Sequence, residues 1–171
     1  NKCLHGAPGI SFVMAHPDVW SNTLTEPSTV YFNLFDYFKA QYADGFSPFT
    51  PATHVAFAFK VALDEFFDSG GWHQRNRLFD SRAKRIAGSL SELGVKTLLP
   101  TADYSSVLYS YLLPTGVSYA ALHDFLKTNG FVIYQGQGDL SETIFRISTM
   151  GEIREEKINL LCDLFNEFLG P

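Results

Sequence analysis

The sequence predicts an α/β chain, and three observations predict it. Four segments carry apolar residues at helical spacing between start and stop signals. From Val95 onward short β-rich runs alternate with helices, the pattern of a small sheet packed by helices. Ahead of these lies an apolar run, Gly9 to Ala15, that reads as a buried strand. At 171 residues the chain fits one ordinary domain, or the tail of one domain plus a small second one.

Taken in order, His16-Pro17-Asp18 and the polar run Ser21 to Thr29 break regular structure after the first strand, and a loop follows. Ser47-Pro48-Phe49-Thr50-Pro51 is a helix-start signal: Thr50 can cap, and Pro51 suits the first helical position, where a missing N–H costs nothing. Val55, Phe59, Leu63 and Phe66 then recur at helical spacing, and Gly70-Gly71 ends the helix. A second helix runs from about Trp72 to Leu93, with Phe79, Ile86, Leu90 and Leu93 on one face, Arg75, Arg82 and Arg85 largely outside it, and Gly94 as its stop. Val95 to Leu99, Val107 to Leu113, Phe131 to Gln135 and Thr143 to Ser148 are strand candidates. Between them Ser118 caps a helix through Lys127, with Val117, Ala121, Leu122 and Phe125 inward and Gly130 as a left-handed stop. The last helix, about Ile153 to Leu169, puts Ile158, Leu161, Phe165 and Phe168 on one stripe. It places Glu152, Glu155 and Glu156 near its positive end.

Composition narrows the function classes. Hydrophobic residues make up 46% and aromatics 15%, with 16 Phe, which calls for either a large core or a surface meant for a partner. Net charge is −5 and the few basic residues cluster between Arg75 and Arg85, so nucleic acid is not an expected partner. No apolar stretch approaches the roughly 18 to 20 residues of a membrane span, and the expectation is a soluble, cytoplasmic protein. Cys3 and Cys162 lie far apart, match no metal-ligand spacing and read as free thiols; no metal is expected. His5, His16 and His123 read as ordinary surface or loop histidines, and Gly136-Gln137-Gly138 as a turn rather than a nucleotide loop.

Three residues can carry chemistry. Lys2 stands before an apolar run, behind a turn built by Gly6, Pro8 and Gly9. It is a solvated charge or, if buried near another cation, an amine free to act as nucleophile and general acid/base. Arg146 sits mid-strand in Ile144-Phe145-Arg146-Ile147-Ser148 and needs an anionic partner. That partner is either Glu142 or Glu152 in a structural ion pair, or a ligand's carboxylate or phosphonate held by the planar fork. Thr50 is either a helix cap or, by the same geometry, a hydroxyl beside a phosphate at a helix N-terminus.

The run Asn1-Lys2-Cys3-Leu4, then Gly6, Pro8-Gly9 and Ser11-Phe12-Val13, resembles the cofactor-lysine segment of the 2-aminoethylphosphonate:pyruvate aminotransferases. Those are pyridoxal-phosphate enzymes of the class V aminotransferase group. Phe49-Thr50-Pro51-Ala52-Thr53-His54 is similar to the family's Phe-Thr-x-x-Thr-His run, although the family has Ser-Pro where this chain has Pro51-Ala52. Further matches are His73-Gln74-Arg75, Leu93-Gly94, Gly130-Phe131-Val132-Ile133-Tyr134, Phe145-Arg146-Ile147 and Gly151-Glu152.

The resemblance implies the C-terminal half of a fold-type-I aminotransferase, with residues 1–70 completing the large cofactor domain and 71–171 forming a small α+β domain. It implies Lys2 as the Schiff-base lysine holding pyridoxal 5'-phosphate, Thr50 as a contact to the cofactor phosphate of a neighbouring subunit in a homodimer, and Arg146 as the ligand of the acidic substrate. The implied reaction transfers the amino group of 2-aminoethylphosphonate to pyruvate. The family's aspartate, stacking aromatic and main phosphate loop precede the lysine, so the expectation is a fragment inactive without a partner carrying the first half. The rivals are a non-catalytic C-terminal or assembly piece, and another class V activity such as serine or alanine:glyoxylate transamination.

Overall fold

The computed structural model describes residues 1–21 and 29–170. The predicted break over Ser21 to Thr29 lies mostly outside the described residues. The chain divides into two compact units, one of Asn1–His5 with Leu63–Pro171 and one of Gly6–Ala62.

In the first unit, α4 (Gly71–Glu92), α5 (Tyr119–Thr128) and α6 (Glu155–Leu169) surround a three-stranded antiparallel sheet of β1 (Leu108–Leu112), β2 (Tyr134–Gln135) and β3 (Ile144–Ser148), in the order β1-β3-β2. Register sets Tyr109 opposite Ile147 and Tyr111 opposite Phe145. With the two-residue period of a strand, these four share one face, and all are buried with Leu90, Leu122, Leu126 and Phe165 in one core. The other face carries Leu108, Ser110, Leu112, Ser148 and Arg146, with Ser110 on β1 and Tyr134 on β2 flanking Arg146. Leu108, Leu112 and Tyr134 are exposed there.

The predicted helices of this unit form, with caps where expected: Ser118 Oγ accepts from the Ala121 N–H at 3.2 Å, and Gly94 and Gly130 both have positive φ. The inward stripe of α5 is Leu122 and Leu126, one turn apart, while Ala121 is exposed. Arg82, expected outside the buried face of α4, is only 7% exposed. Val95 to Leu99 makes no strand but a single bridge, Thr97 to Tyr111. The phenol of Tyr104 interrupts the ladder there, accepting from the Leu99 N–H at 3.0 Å and donating to the Ser110 carbonyl at 2.9 Å. The Phe131 to Gln135 candidate shrinks to two residues because Phe131 N–H is still engaged by the Leu126 carbonyl of α5.

The second unit holds α1 (Pro17–Ser21), α2 (Leu34–Asp44) and the first part of α3 (Thr53–Asp68). Gly9 to Ala15 forms no strand: Phe12 is 65% and Met14 87% exposed. A strand needs neighbours to satisfy its backbone groups, and none of the described residues pairs with this one. Helix α2 replaces part of the expected loop; Asn33 Oδ1 caps it by accepting from the Asp36 N–H at 3.4 Å. Helix α3 starts at Thr53, so Pro51 is not its first helical residue and Thr50 is not its cap; the Ala52 carbonyl takes the first bonds, from Val55 and Ala56.

Candidate functional site

Lys2 lies on a single 3₁₀ turn, Lys2–Leu4, and is exposed. Lys2 (φ 58) and His5 (φ 61) both adopt the left-handed conformation that side chains with a Cβ rarely take. Two long-range bonds hold this turn to the rest of its unit. Arg75 Nη1 of α4 donates to the Cys3 carbonyl at 3.1 Å, while the Arg75 guanidinium lies 5.2 Å from the centre of the Phe66 ring. The Gly151 N–H donates to His5 Nε2 at 3.2 Å, and the His5 ring packs on Phe79 with centroids 6.1 Å apart. His5 is therefore a half-buried acceptor rather than an ordinary surface histidine. Burial, then the nearby Arg75, hold its pKa below the ordinary 6.5, with Glu152 pulling the other way.

Gly151 belongs to the loop that leaves β3, so these bonds join the Lys2 turn to the strand that carries Arg146. Arg82 fixes the same loop: its guanidinium donates to the carbonyls of Thr149, Gly151 and Ile153. Burial lowers its pKa and Glu152 raises it, and a guanidinium so placed stays charged.

Arg146 is half-buried on the open face of the sheet. Its Nε donates to the Gln135 carbonyl at 2.8 Å. No carboxylate among the described residues forms an ion pair with it; Glu142 instead takes the Gln135 side-chain amide at 3.3 Å. The Nε bond fixes the plane of the fork and leaves both terminal nitrogens to an incoming anion.

Thr50 is exposed in the second unit, three residues before α3. That unit also contains an open recess of about 610 Å³ lined by Trp20, Phe35, Phe38, Lys39 and Tyr42, which holds none of the three predicted residues. Among the described residues no group of three His, Cys, Asp or Glu could hold a metal, and no helix is long and apolar enough to cross a membrane.

No family model matches the chain. It is 33% identical over 165 residues to a 2-aminoethylphosphonate–pyruvate transaminase of Bacillus mycoides, covering 95% of this chain and 45% of that protein. A protein of the same name from Syntrophobacter fumaroxidans is 34% identical over 164 residues, covering 94% and 44%. The chain thus spans about half the length of the curated relatives it matches. Among solved structures, an aspartate aminotransferase of subgroup IV from Thermus thermophilus superposes with a TM-score of 0.73 at 28% identity, over 84% of this chain and 40% of that one. Aminotransferases of this fold are pyridoxal-phosphate-dependent. The chain is homologous over nearly its whole length to the 2-aminoethylphosphonate–pyruvate transaminases, and its fold is that of the C-terminal part of the fold-type-I aminotransferases.

Proposed function

We propose that this chain serves a pyridoxal-phosphate-dependent transamination in which 2-aminoethylphosphonate gives up its amino group to pyruvate, yielding phosphonoacetaldehyde and alanine. The observation that carries the reading is Arg146, a half-buried guanidinium with its Nε tethered and no carboxylate partner among the described residues. Such a cation is costly unless an anion completes it, and a planar fork suits a phosphonate or carboxylate oxygen pair. The residues fit the cofactor by the chemistry of the donor set: an exposed primary amine on a tethered turn and, in the same unit, a free fork for the acid end of the substrate, with the Thr50 hydroxyl coming from a neighbouring subunit. When bound, pyridoxal phosphate supplies the electrophilic carbon that takes up the amino group and the ring that delocalises the electron pair left at the substrate carbon. Lys2 Nζ would hold the cofactor and move the substrate proton, Arg146 would orient the acidic group, and Thr50 would contribute a hydroxyl to the cofactor phosphate of the neighbouring subunit. In this reading residues 1–70 complete a cofactor domain, 71–171 form the small domain, and the exposed apolar residues Ile10, Phe12, Met14 and Phe57 are covered by the rest of the large domain or across a homodimer.

The test is an alanine-formation assay with both substrates and pyridoxal phosphate, run on the chain combined with a polypeptide carrying the first half of the enzyme, beside the serine–glyoxylate and alanine–glyoxylate pairs. Lys2→Ala should abolish turnover. Arg146→Ala should weaken the acidic substrate by about 2 to 5 kcal/mol while cofactor absorbance stays unchanged. Unchanged kinetics with a lower melting temperature would make Arg146 a structural residue, and preference for a glyoxylate pair would move the reading to another class V reaction.

A further inference from the structure

We infer that neutral His5 is a proton-switched pin, whose Nε2 holds the turn bearing Lys2 against the Gly151 loop and lets it go when that nitrogen is protonated. A backbone N–H can only donate, so the Gly151 bond at 3.2 Å requires a lone pair on His5 Nε2 and places the ring proton on Nδ1. Protonation converts Nε2 into a second donor facing the first. The bond is then lost, and a cation is left against the Phe79 ring.

The rest of the turn leans on this contact. His5 keeps a left-handed backbone (φ 61, ψ 15) that carries a steric cost unless its surroundings impose it. The other tether, Arg75 to the Cys3 carbonyl, does not titrate. His5 is therefore the proton-sensitive half of a two-point attachment. The charged groups that face it are Arg75 and Arg82 of α4, Glu65 of α3 and Glu152 of the loop before α6. Burial and the two arginines favour the neutral ring, and the two glutamates oppose them. Because the folded pKa lies below 6.5, the attachment is fully present above that value and is lost as pH falls through the lower, folded one.

His5 thus acts as a positioning residue: it sets where the Lys2 amine stands relative to Arg146, and turnover should fall on the acid side as the turn is released. This catalytic consequence rests on the reading of Lys2 given above; the pin itself does not.

The experiment follows the Gly151 amide and the His5 ring by NMR in the labelled chain, from about pH 8 to about pH 5. In wild type the Gly151 amide shift should titrate with the His5 ring, with a midpoint below 6.5, and its exchange protection should fall at least about tenfold across the transition. His5→Gln offers a carbonyl acceptor that does not titrate, so its Gly151 shift should be flat with pH. In His5→Ala, Gly151 should exchange fast at both ends. A Gly151 amide that ignores the titration of His5, or that stays protected in His5→Ala, would overturn the pin. If Gly151 follows His5 while Lys2 proves dispensable for turnover, the pin stands and only its catalytic consequence falls.

Discussion

Replacing Arg82 by Met tests the most concentrated polar contact in the chain. The side chain is 7% exposed, and its two terminal nitrogens serve three carbonyls, those of Thr149, Gly151 and Ile153. Hydrogen bonds from a charged donor contribute about 1.5 to 3 kcal/mol each, so three set an upper bound near 9 kcal/mol. Two of the bonds are only part-buried, so water can replace some of what is lost there. Met also keeps the apolar stem packed against α4's neighbours. The expected loss is therefore about 3 to 5 kcal/mol, the range for breaking one side of a buried charged contact. For a chain of this size that corresponds to a melting-temperature drop of roughly 6 to 20 °C. Thermal unfolding followed by circular dichroism measures it, with urea unfolding as the check on ΔG. Arg82→Lys should fall between, since an ammonium reaches fewer of the three carbonyls than a planar fork does. A melting point for Arg82→Met within about 2 °C of wild type would refute the claim that these bonds hold the Gly151 loop.

Two further changes have calculable directions. A methyl added at buried Gly136 would overlap the Leu140 carbonyl, so Gly136→Ala should destabilise by about 1 to 3 kcal/mol in the same melt even though no left-handed conformation is needed there. Tyr111, 1% exposed, has its phenol pKa pushed up by burial first and by Tyr109 next; its neutral form stabilises the fold fully below the ordinary value of 10.0, and that contribution should disappear as pH rises beyond it, which an ultraviolet titration paired with unfolding curves would show. Ionisation of every tyrosine at the ordinary pH in the folded chain would contradict it.

The helices of the first unit were legible because their information is local. A cap such as Ser118, a stop such as Gly94 or Gly130 and a stripe such as Ile158, Leu161 and Phe165 lie within a turn or two of one another, and the structure uses them as the pattern implies. Strand β3 was legible for a related reason: Ile144 to Ile147 carries residues that fit the centre of a sheet. The failures share the opposite cause. Gly9 to Ala15 has the composition of a buried strand, yet strand formation depends on partners far along the chain, and apolar composition says nothing about where they are. Arg82 lies off the apolar stripe of α4, a place that predicts exposure; its compensation, three carbonyls from residues 67 to 71 positions away, cannot be seen in any window of α4.

The same separation explains what the sequence could and could not say about the site. Lys2, Thr50 and Arg146 were named because each sits in a short run that keeps its residue types together. What holds the Lys2 turn in place was not visible. His5 meets Gly151 across 146 positions and Arg75 meets Cys3 across 72. Nothing near His5 in sequence distinguishes it from His16, which is exposed and whose ring meets its near neighbour Asp18. The chemical groups of a site are thus written locally, while the contacts that fix their position are written in the pairing of distant segments. A substitution at His5 or Arg82 should therefore disturb Lys2 without touching any residue of its motif.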